Sequence, residues 1–249
     1  MDNLFQLKGK KILVTGASSG IGYEVCKTIA LMGGHFIAVA RRADLLEKLV
    51  ADFDAVESSF IVADLSKAAD IKLVSDSIEK IDGVVHSAGI VKLVPLKFYK
   101  EEVMDEMRKI NYDSIVILMS QLAKNKKLNP QSSIVLISSI SGIYGMKANG
   151  IYAGIKGALI GISKTWANEL AATKTRVNVV APGMVKTEIT QNTIDVLSAE
   201  VVAEDEKKYP LGYGLAEDVA YPVLFLLSDA SKWITGQTII LDGGRTACI

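Results

Sequence analysis

The 249-residue chain has few of the residues that disulfides and metal sites require. Its two cysteines, Cys26 and Cys248, lie far apart without metal-type spacing, so no disulfide framework is expected and reduced thiols are the simpler reading. The only histidines are His35 and His86, and neither has a cluster of carboxylates nearby in sequence, so no catalytic metal is expected. Charge of one sign is also missing. The 28 basic and 28 acidic side chains cancel, which removes any general attraction for nucleic acid or a membrane surface. No run reaches the ~18 apolar residues that a membrane helix needs. Met1-Asp2-Asn3-Leu4-Phe5 has no positive patch followed by an apolar stretch, so a signal peptide is not expected. Repeats, linkers and low-complexity tracts are lacking too. The expectation is a soluble cytoplasmic protein, one domain over residues 1–249.

What is present is an alternation of short apolar runs with longer amphipathic ones. Strands are expected at Lys11–Thr15, His35–Ala40, Ser59–Ala63, Val84–His86, Ile134–Ser138, Val177–Val180 and Thr238–Leu241. Helices are expected at Ile21–Leu31, Ala43–Ala51, Ala68–Lys80, Glu101–Lys124, Tyr152–Ala171 and Glu217–Leu227. Strands that are apolar on both faces and separated by helices indicate an α/β fold. This is a doubly wound parallel sheet of about seven strands with helices on both faces, the Rossmann arrangement. Its ligand crevice should lie at the carboxyl ends of the strands. Lys186–Leu215 has no clear strand and reads either as a substrate lid or as a pair of ordinary surface helices.

The first strand runs into Thr15-Gly16-Ala17-Ser18-Ser19-Gly20-Ile21-Gly22, and a helical pattern follows at once. Glycines at this junction permit a sharp turn and a close approach of backbone to a pyrophosphate, while the helix N-terminus offers unpaired N–H groups. A plain glycine turn is the alternative; the strand before and the helix after favour dinucleotide binding. No Gly-Lys-Ser/Thr follows, which argues against a phosphate-binding NTPase. The second strand ends in Ala40-Arg41-Arg42, where an NAD-selective protein would place an acid for the ribose hydroxyls. Two guanidinium groups suit a 2′-phosphate, so NADP(H) is favoured over NAD(H), with a pair of solvated arginines as the alternative.

Four further stretches carry chemistry. Tyr152 and Lys156 stand four residues apart, on one helical face. Ser139 follows an apolar strand, Asn111 sits in the helix Glu101–Lys124, and Pro182-Gly183 closes another strand shortly before Thr187. Each is commonplace alone. Together with the glycine motif, over nearly the whole chain to Leu241-Asp242-Gly243-Gly244, they resemble the short-chain dehydrogenase/reductase family, most closely its 3-oxoacyl-carrier-protein reductases. The resemblance implies a catalytic tetrad of Asn111, Ser139, Tyr152 and Lys156. It implies nicotinamide-side contacts from Pro182, Gly183, Val185 and Thr187, and an adenine contact from Asp64 and Leu65. Ser18, Ser19 and Ile21 of the glycine turn, and Ser87, Ala88 and Gly89 after the fourth strand, complete the implied cofactor wall.

In this reading Tyr152 is the general acid in reduction and the base in oxidation, with Lys156 and the oxidised nicotinamide ring together expected to lower its pKa from about 10. Ser139 would hydrogen-bond the substrate oxygen, and Asn111 would hold a water that resupplies the proton through Lys156. The chain departs from the family where Asn-Ala-Gly is usual: it has Ser87-Ala88-Gly89, preceded by His86. Ser87 loses the amide donors, so a local structural change is expected rather than loss of activity. His86 reads as a packed strand-end histidine, since Tyr152 fills the acid/base role.

The substrate is expected to be a small ketone or secondary alcohol, with a 3-oxoacyl thioester as one candidate. Its contacts are expected from Ile143, Tyr144, Met146 and Ala148, and from the 186–215 segment, where Ile194, Val196, Leu197, Val201 and Val202 suggest a partly apolar lid. An acidic carrier protein would need a basic docking face, for which Lys124, Lys126 and Lys127 are candidates. The apolar helix Tyr152–Ala171 and the family likeness suggest a homo-oligomer, a tetramer. The alternatives are a non-catalytic NADP(H) sensor, which could dispense with the Tyr152–Lys156 pair, and a nucleotide-sugar epimerase, whose substrate domain this length leaves little room for.

Overall fold

The structure, a computed structural model, describes residues 4–53, 57–188, 190 and 199–247. Seven strands form one sheet: β1 (Lys11–Thr15), β2 (His35–Ala40), β3 (Ser59–Val62), β4 (Ile81–His86), β5 (Leu128–Ile137), β6 (Arg176–Pro182) and β7 (Thr238–Leu241). Their order is β3-β2-β1-β4-β5-β6-β7 and every pairing is parallel. The order reverses between β1 and β4, which opens a crevice at their carboxyl ends.

Parallel strands need long crossovers, here helical. Among the described residues the α-helices are α1 (Gly20–Leu31), α2 (Ala43–Ala51), α3 (Ala68–Ser77), α4 (Glu101–Arg108), α5 (Ser114–Lys124), α6 (Gly150–Glu169), α7 (Ala199–Glu206) and α8 (Ala216–Leu227). They cover both faces. Ile12 and Val14 of β1 join one apolar cluster with Val25 and Ile29 of α1, Leu46 of α2 and Val223 of α8. Leu13, between them in sequence, faces the other cluster with Ile71 of α3, Leu118 of α5 and Leu159 of α6. This alternation explains why β1, β4 and β6 read as nearly unbroken apolar runs.

Several element bounds differ from the sequence expectation; β5, for one, starts at Leu128 and not at Ile134. α3 stops at Ser77, because Ile78 takes an extended conformation (φ −101°, ψ 148°) and buries its side chain. β4 starts earlier, at Ile81, because the Asp82 carboxylate that interrupts the apolar run accepts from the Lys11 backbone N–H (2.8 Å) and from Asn129 Nδ2 (2.8 Å). The helix expected over Glu101–Lys124 is split by a π-turn, Lys109–Asp113, which contains Asn111. Within 186–215 the described residues include α7; Ile194, Asp195, Val196 and Leu197, like Cys248, lie outside the described residues. Among the described residues, no helix is long and apolar enough to cross a membrane.

Candidate active site

A cleft of about 400 Å³ runs along the carboxyl ends of the strands. Its first wall is the β1–α1 turn. Gly16 has φ +70°, and a Cβ there would stand 2.7 Å from the Ala88 backbone nitrogen; a Cβ on Gly22 would stand 2.3 Å from the Gly16 carbonyl oxygen. Only glycine lets β1, the start of α1 and the segment after β4 approach this closely. Ser19, at the N-cap of α1, makes no capping bond to the helix, so the first-turn N–H groups are left to the cleft. Gly16, Ser18, Ser19, Gly20 and Ile21 line the cleft, while Gly22 serves packing behind it.

Arg41 and Arg42 form the next wall. Arg41 is exposed. Arg42 Nη2 donates to Ser18 Oγ (3.0 Å) and Ser19 Oγ (2.7 Å), while Nη1 donates to both carboxylate oxygens of Glu188 (2.9 Å each). Asp64 and Leu65 follow β3, with the Asp64 carboxylate held below its ordinary range mainly by the Ser66 hydroxyl (2.7 Å).

After β4, Thr15 does the bracing that Ser87 lacks the reach for. Its hydroxyl lies 2.8 Å from His86 Nδ1 and accepts from the Ala88 N–H at 3.2 Å. His86 is fully buried, and burial together with the nearby Lys156 charge pushes its pKa down to about 3. It is therefore a neutral packed ring, as the sequence suggested, with Nε2 lacking a hydrogen-bond partner. Ser87, Ala88 and Gly89 line the cleft.

The reacting end is built by β5, α6 and the strand end of β6. Ser139 caps the short turn Ile140–Gly142, its Oγ accepting from the Ser141 N–H at 3.1 Å. Tyr152 and Lys156 lie on the first turns of α6. The Lys156 ammonium is 5.5 Å from the centre of the Tyr152 ring and donates to the Ile137 carbonyl at 2.8 Å. Burial brings the Lys156 pKa down to about 8. Tyr152 goes the other way: burial raises it to about 12, opposed only by a hydrogen bond with Ser139. The lowering expected from Lys156 acting with an oxidised nicotinamide ring belongs to the cofactor-bound protein; in the chain alone desolvation sets the direction. Pro182, Gly183, Val185 and Thr187 close this end.

Of the residues implied as catalytic, Ser139, Tyr152 and Lys156 share the cleft, and Asn111 stands behind it. The π-turn brings its buried amide against the backbone of Ile90: Oδ1 accepts from the Ile90 N–H (2.7 Å) and Nδ2 donates to the Ile90 carbonyl (2.8 Å). It clamps the loop after Gly89 instead of facing the cleft. Sequence reading missed Ile90 and Glu188 as wall residues, and nothing local marks either of them. Lys127, a candidate for a basic docking face, is occupied by the Ile78 carbonyl at 2.6 Å. Among the described residues no cluster suits a metal ion.

The cleft fits a dinucleotide. It has a glycine cradle without side chains, free N–H groups at a helix start, two guanidinium groups at one end, and a phenol and an ammonium at the other. Comparison with known proteins agrees. A family model described as enoyl-(acyl carrier protein) reductase matches residues 16–246. The chain is 34% identical over 246 residues to a 3-oxoacyl-[acyl-carrier-protein] reductase of Thermotoga maritima, covering 96% of this chain and 98% of the relative. It is 31% identical over 242 residues to the Escherichia coli protein of the same name, covering 95% and 97%. A gluconate 5-dehydrogenase from Burkholderia cenocepacia, solved with NADP and tartrate, superposes with a TM-score of 0.91 at 25% identity, over 99% of this chain and 98% of that one. The chain belongs to the short-chain dehydrogenase/reductase family and is an NAD(P)-dependent oxidoreductase acting on CH–OH and C=O groups.

Proposed function

We propose that the protein is an NADP(H)-preferring ketoreductase in which Tyr152 is the proton donor to the substrate oxygen. One observation carries this reading: a phenol that shares the end of a cleft built for a dinucleotide with Ser139, and has an ammonium 5.5 Å from the centre of its ring. When bound, the nicotinamide supplies or accepts the hydride. The chain's own residues manage the proton. With its pKa near 12, Tyr152 holds its proton at neutral pH, which suits a donor in the reductive direction. Ser139 offers a second hydrogen bond to the same oxygen, where negative charge develops. Lys156, largely protonated below about pH 8, supplies positive charge beside the phenol. Asn111 positions the wall through Ile90.

The glycine turn and the N–H groups of α1 would hold the pyrophosphate. Arg41 and Arg42 with Ser18 would hold a 2′-phosphate, Asp64 and Leu65 the adenine, and Lys156, Pro182, Gly183, Val185 and Thr187 the nicotinamide side. Exposed Ile143, Tyr144 and Met146 next to Ser139 provide an apolar contact for an acyl chain, and the 186–215 segment would serve as the lid of a single-domain protein. A 3-oxoacyl thioester is the substrate we favour, on these apolar contacts and the names of the relatives. α6 leaves open space beside Gly154 and Gly161, and α5 exposes Ile117, which supports a homotetramer assembled on these helices.

The test is NADPH oxidation across a panel of 3-oxoacyl thioesters, 2-enoyl thioesters and keto sugar acids. Turnover is expected to be highest with the 3-oxoacyl thioesters. Turnover of the enoyl compounds alone would contradict the ketoreductase reading, and NADPH binding without turnover of any would favour a sensor.

A further inference from the structure

Arg42 is held in an unusual way for a residue that awaits a phosphate. Its Nη2 donates to Ser18 Oγ and Ser19 Oγ, its Nε donates to Ser18 Oγ at 3.2 Å, and its Nη1 donates to both carboxylate oxygens of Glu188. A guanidinium flanked by two hydroxyls makes a cradle for an anion with several oxygens. Here the anion in the cradle is the protein's own carboxylate, brought in from 146 positions along the chain, just beyond Thr187. The bond to Arg42 holds the Glu188 carboxyl below its ordinary range, so it is charged throughout neutral pH. Both side chains remain substantially exposed, at 40% and 54%, so the pair contributes little to stability and is open to exchange with an incoming anion.

We propose that Glu188 is a specificity-determining residue, whose carboxylate occupies the anion position of the Arg42–Ser18–Ser19 cradle and so reduces the preference for a 2′-phosphorylated dinucleotide over an unphosphorylated one. This rests on the reading that the cradle takes the 2′-phosphate. A phosphate that enters must either displace Glu188, losing its charge-assisted bonds to Arg42, or lie beside it and meet like-charge repulsion. A free 2′-hydroxyl meets neither cost, and can donate to the carboxylate. Preference is the difference between the two affinities, and Glu188 acts on one of them. Arg42 alone would make the site strongly NADP(H)-selective; Arg42 with Glu188 keeps that preference but lowers it.

The experiment measures Kd for NADPH and for NADH by nicotinamide fluorescence in the full-length protein, for the wild type, Glu188→Gln and Arg42→Ala. Glu188→Gln keeps the side chain's length and removes its charge. It is expected to tighten NADPH about three- to tenfold while NADH changes by less than about twofold. Adenosine 2′-monophosphate, used as a competitor, should gain by a similar factor and adenosine 5′-monophosphate should not. Arg42→Ala is expected to weaken NADPH selectively. If Arg42→Ala behaves so while Glu188→Gln leaves the NADPH/NADH ratio unchanged, the proposal fails and the phosphate reading stands. A looser NADPH complex in Glu188→Gln also overturns it, since the carboxylate would then be orienting Arg42 for the phosphate. Equal losses of NADPH and NADH in Arg42→Ala would remove the phosphate reading and this proposal together.

Discussion

The two ends of the cleft handle charge in opposite ways. At one end Arg41, Arg42 and Glu188 stand in or near solvent, and Arg42 is matched by a carboxylate partner. At the other, Lys156, Tyr152 and His86 have no carboxylate against them among the described residues, and burial moves all three pKa values, to about 8, 12 and 3. The exposed end works through pairs that water and salt weaken, so it tunes affinity by modest factors. The buried end works through desolvation, which sets protonation states for chemistry. Binding preference and proton transfer are therefore separable in this molecule, and substitutions at one end should leave the other largely intact.

The comparison breaks most severely at the turn that joins the ends. Gly16→Ala forces a side chain into a positive-φ position 2.7 Å from the Ala88 backbone. It should weaken both NADPH and NADH by at least about a hundredfold, as read by fluorescence titration. Equal affinity to wild type would mean that the turn is not part of the site.

At the buried end the His86 ring tests desolvation directly. Its folded pKa, about 3, lies below the ordinary 6.5, so the unfolded chain binds the extra proton first. The stability associated with the neutral ring is fully present above pH 6.5 and is lost as pH falls from there toward 3. His86→Asn cannot take up that proton. Denaturant unfolding at a series of pH values should therefore show a shallower acid limb in the variant, with the difference amounting to a few kcal/mol. Parallel limbs would place the ring in contact with water.

The smallest effect belongs to the exposed end. Raising the salt concentration from about 0.05 to about 0.5 M should weaken NADPH roughly threefold while leaving NADH and saturated turnover almost unchanged. A matching loss for NADH would assign the salt effect to the shared pyrophosphate cradle.

Much of this was legible in the sequence, for a physical reason. Strands covered on both faces must be largely apolar, so β1 and β2 could be bounded to the residue; β7, an edge strand whose residues are only partly buried, kept its bounds through its own short apolar run. The glycine turn was visible because its spacing answers a steric demand, and Tyr152 and Lys156 because helical geometry puts residues four apart on one face. What escaped depends on contacts that no local pattern encodes. The π-turn at Lys109–Asp113 adds one residue to a helical repeat that otherwise continues, and that slip turns Asn111 toward Ile90. Glu188 meets Arg42 only once the sheet is assembled. The phenol's raised pKa follows from burial, and a helical spacing cannot report how much water is excluded from around it.

Whether the Tyr152 phenol delivers the proton is decided by Tyr152→Phe, measured for turnover and NADPH affinity in the same preparation. A fall in kcat of about 10²- to 10⁴-fold is expected, with NADPH Kd within about threefold of wild type. Wild-type turnover in the variant, with any ketone the protein reduces, would contradict it.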